Sequence, residues 1–340
     1  MQTSSKSNSI LVTGASGYIA SHLIKILLEN DFKVRGTVRS LSNKEKYNFL
    51  FSLAPSKKDN LTLIEADLTN KASWLSAVDG CDYVFHLASP IPVSAPKDEM
   101  ELIGPAVEGT LNVLEASVVR KVVITSSVAA IGTGHQGLIT EELWSKEEMC
   151  PPYPKSKVRA EKAAWEFYEQ NKGKLELVVI NPCLVLGPMF IQHKNTSESL
   201  LSEIIKGNIP GVPDSSMLFV DVRDVADAHF KAMWKEEANG KRYIIAPEPT
   251  TMPEMVKVLN KEFKSKGFDI PEKIVSVEEF KTSGSPIGPR LAMIGGRRNI
   301  TISNRRGVEE LKMKYHSHES TLVDMGNSLI NLGIVSSKNE

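Results

Sequence analysis

Short apolar runs alternate with stretches whose apolar positions recur three and four residues apart through the first half of the chain. The runs Ile10–Thr13, Val34–Val38, Leu61–Glu65, Tyr83–Leu87, Val122–Ser126 and Leu177–Ile180 predict strands, and the intervening stretches near 17–29, 43–52, 71–78, 100–118 and 155–170 predict helices. Such alternation predicts an α/β fold: a doubly wound parallel sheet with helices over both faces, because parallel neighbours need crossovers and the crossover helices bury the sheet. After Pro182 the alternation lapses. Gly187-Pro188, Pro210-Gly211-Val212-Pro213 and the run from Ser283 to Pro289 are dense in turn residues, so a smaller, discontinuous lobe is expected there. Leu218 to His229 reads as strand into helix and Arg242 to Ala246 as a further strand, both expected to return to the sheet. The expected division is 8–182 plus about 217–247 for the sheet domain and 183–216 plus 248–336 for the lobe. Thr251-Met-Pro-Glu254 has the Thr-x-x-Glu pattern of a capping box with proline in the first turn, which predicts a helix from about 252 to 266.

Where the first strand meets the first helix, the chain reads Ser9-Ile-Leu-Val-Thr-Gly-Ala-Ser-Gly-Tyr-Ile-Ala20. Strand, glycine turn and helix in that order form a dinucleotide-binding (Rossmann) pattern. Gly14 serves the sharp turn, Gly17 admits a pyrophosphate to the backbone, and Ala20 lets helix pack on strand. The negative charge would rest on amides at the positive end of the helix, which makes Gly14, Ser16, Gly17, Tyr18 and Ile19 the expected cradle.

Composition narrows the partners. The 41 basic residues match the 41 acidic ones, leaving no net field to draw nucleic acid or an anionic membrane. The polar start, Met1 to Ser9, lacks the apolar core of a signal peptide, and no apolar run approaches the ~18 residues of a membrane helix. The three cysteines, at 81, 150 and 183, are too few and too scattered for a disulfide framework or a paired metal site. A cytoplasmic protein that works on a small molecule, as a monomer or homodimer, is expected.

Two places carry chemistry. Val122-Val-Ile-Thr-Ser-Ser127 is a buried strand ending in hydroxyls, at the sheet edge where open α/β sheets place ligands. Tyr153-Pro-Lys-Ser-Lys157 puts a phenol and an ammonium four residues apart, on one face of a helix. A carbonyl that accepts hydride must be polarised and protonated; Ser127 can donate a hydrogen bond while Tyr153 delivers the proton. The Lys157 ammonium favours the phenolate left behind. Tyr168 and Lys172 repeat the spacing, but they close a helix before Gly173 and no hydroxyl-bearing strand end precedes them.

Together TGASGYIA at 13–20, HLASP at 86–90, TSS at 125–127, YPKSK at 153–157, AEKAAWEF at 160–167, NPCLVLGP at 181–188 and DVRDVADAH at 221–229 resemble the extended short-chain dehydrogenase/reductase superfamily. The branch resembled is that of dihydroflavonol reductases, cinnamoyl-CoA reductases and fungal methylglyoxal (aldehyde) reductases. The resemblance implies a Ser127, Tyr153 and Lys157 catalytic triad, with Lys157 also on the nicotinamide ribose. It further implies cofactor contacts from Asp67 and Leu68 at the adenine, Ala88 by the ribose, Pro182, Leu184 and Val185 around the nicotinamide, and Ser197.

Charge favours NADP(H) over NAD(H). Arg39 ends the second strand, Lys44 and Lys46 follow, and no carboxylate stands between Asp31 and Glu45 to hold a ribose 2′-hydroxyl. The expected activity is NADPH-dependent, reversible reduction of an aldehyde or ketone. A nucleotide-sugar epimerase or hydroxysteroid dehydrogenase on the same scaffold, and a dinucleotide-sensing regulator without turnover, are the alternatives. Elsewhere, His316-x-His318 lacks a third metal ligand and reads as loop histidines, so no metal site is expected. His86 reads as a packing residue. Arg297-Arg298 and Arg305-Arg306 read as solvated charge, with an anionic substrate tail as the alternative. Trp144, Cys150, Pro151 and Pro152 are candidates for a pocket rim. Gly132 stands about where dihydroflavonol reductases carry an amide side chain, which points to a smaller carbonyl substrate.

Overall fold

Seven parallel strands form the sheet of the computed structural model, which describes residues 9–90, 97–117, 119–285, 287 and 301–337. They are β1 Ser9–Val12, β2 Lys33–Val38, β3 Leu61–Glu65, β4 Tyr83–His86, β5 Lys121–Thr125, β6 Glu176–Pro182 and β7 Lys241–Ile245. Their order is β7-β6-β5-β4-β1-β2-β3. This is the doubly wound α/β fold expected. The winding reverses at β1, where a ligand crevice opens beyond the carboxyl ends. β4, β5 and β6 are buried almost throughout, as strands covered on both faces must be, whereas the edge strand β3 exposes Thr62 and Glu65.

The longer helices are α1 Tyr18–Glu29, α2 Lys71–Val78, α3 Met100–Ala116, α4 Pro152–Gln170, α5 Thr196–Ile205, α6 Val222–Trp234 and α7 Met252–Phe263, with a last helix at His318–Asn331. α4 begins earlier than the apolar pattern suggests. Pro152 and Pro154 sit in its first turn, where a missing N–H costs no intrahelical bond. The helix expected at 43–52 is instead two 3-10 turns, Lys44–Lys46 and Asn48–Ser52. Tyr47 interrupts them: it is buried, its hydroxyl donates to Leu41 O at 2.7 Å, and its φ of −137° is not helical. A third turn, Pro55–Asn60, follows because proline keeps Ala54 out of the helical region.

The chain forms two compact units. One holds Met1–Pro182, Val225–Ile245 and Asn304–Met313; the other holds Cys183–Asp224, Ala246–Ser303 and Lys314–Glu340. The expected return to the sheet near 217 needs correction. Phe219–Asp221 pairs in parallel with Leu184–Leu186, and only β7 joins the large sheet as its edge. In the second unit, Ser216–Met217 pairs with Thr250–Thr251, and Val212–Pro213 with Ile274–Val275. α7 starts with the expected capping box between Thr251 and Glu254 and runs on into a 3-10 turn at Lys264–Lys266. Arg223 pairs with Asp221 at 2.7 Å and Asp324 at 2.8 Å, which ties the last helix to the strand end. Among the described residues, no helix is long and apolar enough to cross a membrane.

Behind β5, His229 of α6 is wholly buried. Its Nδ1–H donates to Val225 O at 2.7 Å, so Nε2 accepts from the Thr125 hydroxyl at 2.7 Å. Burial lowers this imidazole from its ordinary 6.5 to about 4. Between those values the unfolded chain binds a proton that the folded chain refuses, so stability is full above pH ~6.5 and declines as pH falls, by up to about 1.4 kcal/mol per pH unit. Unfolding His229→Gln in urea from pH 7 to 4.5 should give a flatter pH dependence than the wild type; parallel curves would show that the imidazole is not the titrating group.

Candidate active site

At the end of β1 the chain turns through Gly14, whose φ of +65° is left-handed. A Cβ there would approach Ala88 Cα and Cβ at 3.2 Å, and one on Gly17 would meet Gly14 O at 3.0 Å. The turn is pinned to β2: Gly14 N donates to Thr37 Oγ1 at 3.0 Å and Ala15 N to Thr37 O at 2.9 Å. α1 then starts with no side-chain cap on Gly17 and no acid in its first turn. Its leading amides and dipole face the crevice, the arrangement that takes a phosphate. Tyr18 is buried, while Ser16 and Ile19 are half-buried.

Arg39 is exposed directly after β2, and Lys44 and Lys46 are exposed in the turn beyond. No ion pair among the described residues engages Arg39. Glu65 could have competed for a ribose hydroxyl, but its Oε1 accepts from Leu41 N at 2.6 Å. After β3, Asp67 accepts from the Thr69 hydroxyl at 2.6 Å and Thr69 N at 2.9 Å, bonds that hold its carboxyl below the usual range. Leu68 follows, packed where a Cβ on Gly109 would meet it at 2.8 Å, its carbonyl bonded to Asn112 Nδ2 at 2.8 Å. Neither Asn112 nor Gly109 was singled out from sequence, since each acts only through α3 packing on this turn.

A further set unseen from sequence joins the glycine turn to the candidate lysine. Thr13 Oγ1 accepts from Leu87 N at 3.0 Å and Ala88 N at 2.9 Å, so its own proton goes to His86 Nδ1 at 3.0 Å. His86 is therefore the neutral Nε2–H tautomer. Burial, then the nearby Lys157 charge, lowers its pKa to about 3. The backbone so clamped presents Ser89, whose hydroxyl accepts from Lys157 Nζ at 2.9 Å.

Tyr153 and Lys157 lie one turn apart on α4, with Nζ 5.7 Å from the phenol ring centroid. Lys157 is 7% exposed and Tyr153 half-buried. Ser127 caps the turn Val128–Ala130, which packs on α4. Its Oγ accepts from Ala129 N at 3.1 Å, so its own proton is left to donate. Pro182 ends β6. Leu184, Val185 and Ser197 belong to the second unit, the first two in a short strand and Ser197 buried in the first turn of α5.

The remaining candidates resolve as structure. Tyr168 is buried in the core, and Lys172, beyond the end of α4, pairs with Glu169 at 2.6 Å. His316 and His318 are not free loop histidines: His316 Nδ1 meets Asp224 Oδ1 at 2.6 Å, and His318 begins the last helix against Phe219. No cluster of three metal-ligating side chains occurs among the described residues. Arg306 pairs with Glu142 at 2.7 Å and Arg305 with Glu309 at 2.9 Å, whereas Arg297 and Arg298 lie outside the described residues. Trp144 stacks under Arg242 at 4.0 Å, and Cys150 is buried with Ala130 and Val158. Pro151 precedes α4, and a Cβ on Gly132 would meet Ile139 Cδ1 at 2.9 Å.

A fold wound this way, with a glycine turn at its switch point, is that of a dinucleotide enzyme. The model of the NAD dependent epimerase/dehydratase family matches residues 10–246, and the chain belongs to that family. Cinnamoyl-CoA reductase CAD2 of Medicago truncatula is 33% identical over 338 residues, covering 92% of this chain and 98% of its own. Anthocyanidin reductase of Arabidopsis thaliana is 34% identical over 315 residues, covering 83% and 91%. Among solved structures, yeast methylglyoxal/isovaleraldehyde reductase Gre2 complexed with NADPH matches with a TM-score of 0.79 at 29% identity, over 96% of this chain and all of that one (100%). The resemblance to the extended short-chain dehydrogenase/reductases thus holds along almost the whole chain.

Proposed function

We propose that the protein is an NADPH-dependent reductase that converts an aldehyde or ketone to an alcohol, reversibly. The observation that carries this reading is the pairing on α4, where the buried Lys157 ammonium lies against Tyr153 and is seated on Ser89 beside the glycine turn. Relatives named as reductases, one of them solved with NADPH, support it. The residues fit the cofactor: the Gly14 and Gly17 cradle would be filled by side chains, α1 opens without a capping acid, and Arg39 is exposed for a 2′-phosphate. In this reading Ser16, Tyr18 and Ile19 present amides to the diphosphate, Arg39 with Lys44 and Lys46 holds the 2′-phosphate, and Asp67 and Leu68 border the adenine. Ala88 and Pro182 complete the contacts from this unit.

NADPH, when bound, supplies the hydride. Ser127 keeps its proton and donates a hydrogen bond from its free hydroxyl to the carbonyl oxygen, which draws electrons off the carbon and orients the substrate. Tyr153 gives its proton to the same oxygen as the alcohol forms. The Lys157 ammonium stabilises the phenolate that remains, and in the oxidative direction Tyr153 takes the proton back. A cytosolic setting belongs to the same reading, supported by three buried cysteines with no disulfide.

Tyr153→Phe should lower kcat by about 10²- to 10⁴-fold, the range of a lost general acid, while NADPH still quenches protein fluorescence with unchanged affinity. Turnover at the wild-type rate would remove Tyr153 from the mechanism. Arg39→Asp should shift the NADPH-to-NADH ratio of kcat/KM toward NADH by about 10- to 100-fold, the worth of one charge-assisted bond; an unchanged ratio would place the 2′-phosphate elsewhere.

A further inference from the structure

Beneath the candidate site lies a charged cluster that the mechanism above does not use. Glu161 stands one turn past Lys157 on α4 and is 2% exposed. Its Oε2 accepts from Ser126 Oγ at 2.5 Å and from Asn181 Nδ2 at 2.8 Å. Its Oε1 accepts from Trp165 Nε1 at 3.2 Å and forms an ion pair with Arg242 Nε at 2.8 Å. One carboxylate therefore gathers the end of β5, the end of β6, an arginine of β7 and the helix that carries Tyr153 and Lys157.

Two features separate this cluster from a buried pair that only holds the fold. First, Asn181 Nδ2 also donates to Ser127 O at 3.2 Å, so a single amide nitrogen bridges the Glu161 carboxylate and the backbone of the candidate serine. Second, both of those partners are acceptors, so the amide can point only one way, and its Oδ1 is left buried without a hydrogen-bond partner. A buried orphan acceptor is unfavourable. Its persistence fits a residue whose two donors matter more than its acceptor, and those donors join Ser127 to α4.

We infer that Asn181 and Glu161 are positioning residues, which fix the Ser127 hydroxyl in register with Tyr153 and Lys157 through the Ser126, Asn181 and Glu161 bonds. The inference rests on the reductase reading. Without the bridge, Ser127 keeps its turn bond to Ala129 and the packing of that turn on α4 but loses its hydrogen-bonded tie to the helix. A shift of the order of 1 Å at a reacting group lowers rates by up to about 10²-fold without touching ligand affinity.

The test uses the full chain as Asn181→Ala, Ser126→Ala and Tyr153→Phe, with kcat expressed per NADPH-binding site counted by fluorescence titration. The substrate is whichever carbonyl compound the wild type reduces fastest in an aldehyde and ketone panel. Asn181→Ala should bind NADPH with an affinity within threefold of wild type yet show kcat about 10- to 100-fold lower. Its primary isotope effect with 4-deuterated NADPH should also be larger, because a misaligned chemical step then limits turnover. Ser126→Ala, which removes one hydroxyl and decides the matter should Asn181→Ala bind no NADPH, should fall in the same direction by about 3- to 10-fold. Normal kcat per site in these two variants, with Tyr153→Phe inactive, overturns the positioning role and leaves the reductase reading standing. A fully active Tyr153→Phe removes Tyr153 from the mechanism and with it the alignment this role serves, and a wild type that reduces nothing in the panel overturns the reductase reading itself.

Discussion

An ammonium held almost out of water is the constraint around which the rest of the first unit is arranged. Lys157 is 7% exposed, and a charge so placed needs partners fixed in advance. Its seat is the Ser89 hydroxyl, and its near neighbour is the electron-rich face of Tyr153. No second cation is tolerable beside it. His86 meets that demand by staying neutral, because the proton of Thr13 occupies its Nδ1 and burial lowers its pKa to about 3. The same threonine oxygen clamps the backbone that leads to Ser89 and immediately precedes Gly14. Cofactor turn and lysine seat are thus two ends of one hydrogen-bonded piece.

The parallel sheet makes this economy of parts possible. Strands that all run one way deliver their carboxyl ends to a single edge, so Thr13, Ser89, Ser127 and Pro182 follow β1, β4 and β5 or end β6 at that edge. α4 crosses behind them. Its face toward the sheet carries Lys157 and, one turn on, Glu161, so the helix is anchored by a second buried charge of opposite sign. Rigidity in such a site comes from donors and acceptors that have no other partner to choose, as the amide of Asn181 illustrates.

What was legible in the sequence were the features whose cause is local. Gly14 announces a turn because its left-handed backbone favours glycine, a Cβ on Gly17 would crowd Gly14 O, and the Thr251-to-Glu254 capping box and the Tyr153-to-Lys157 spacing need only one helix to be meaningful. The fold class followed from period alone. Features that depend on distant partners were not legible. Glu161 reads as one more charge on a helix until Asn181, 20 residues later, is brought to it, and His316 looked free because Asp224, its partner, lies 92 residues earlier. The failed helix at 43–52 has the same origin: the tether of Tyr47 to Leu41 and its burial override a helical pattern. Likewise the strand at Phe219–Asp221 looked fit for the large sheet, but strand propensity does not name a partner, and Leu184–Leu186 takes it.

Catalysis by this site requires a carbonyl oxygen to come to rest between Tyr153 and Ser127. The direct measurement is a crystal structure of the protein with NADP⁺ and the alcohol product of its best substrate. The product oxygen should lie within about 2.6–3.2 Å of both Tyr153 Oη and Ser127 Oγ, with Lys157 Nζ turned from Ser89 to the nicotinamide ribose. A product oxygen bound away from the phenol, with Lys157 still on Ser89, would contradict this mechanism.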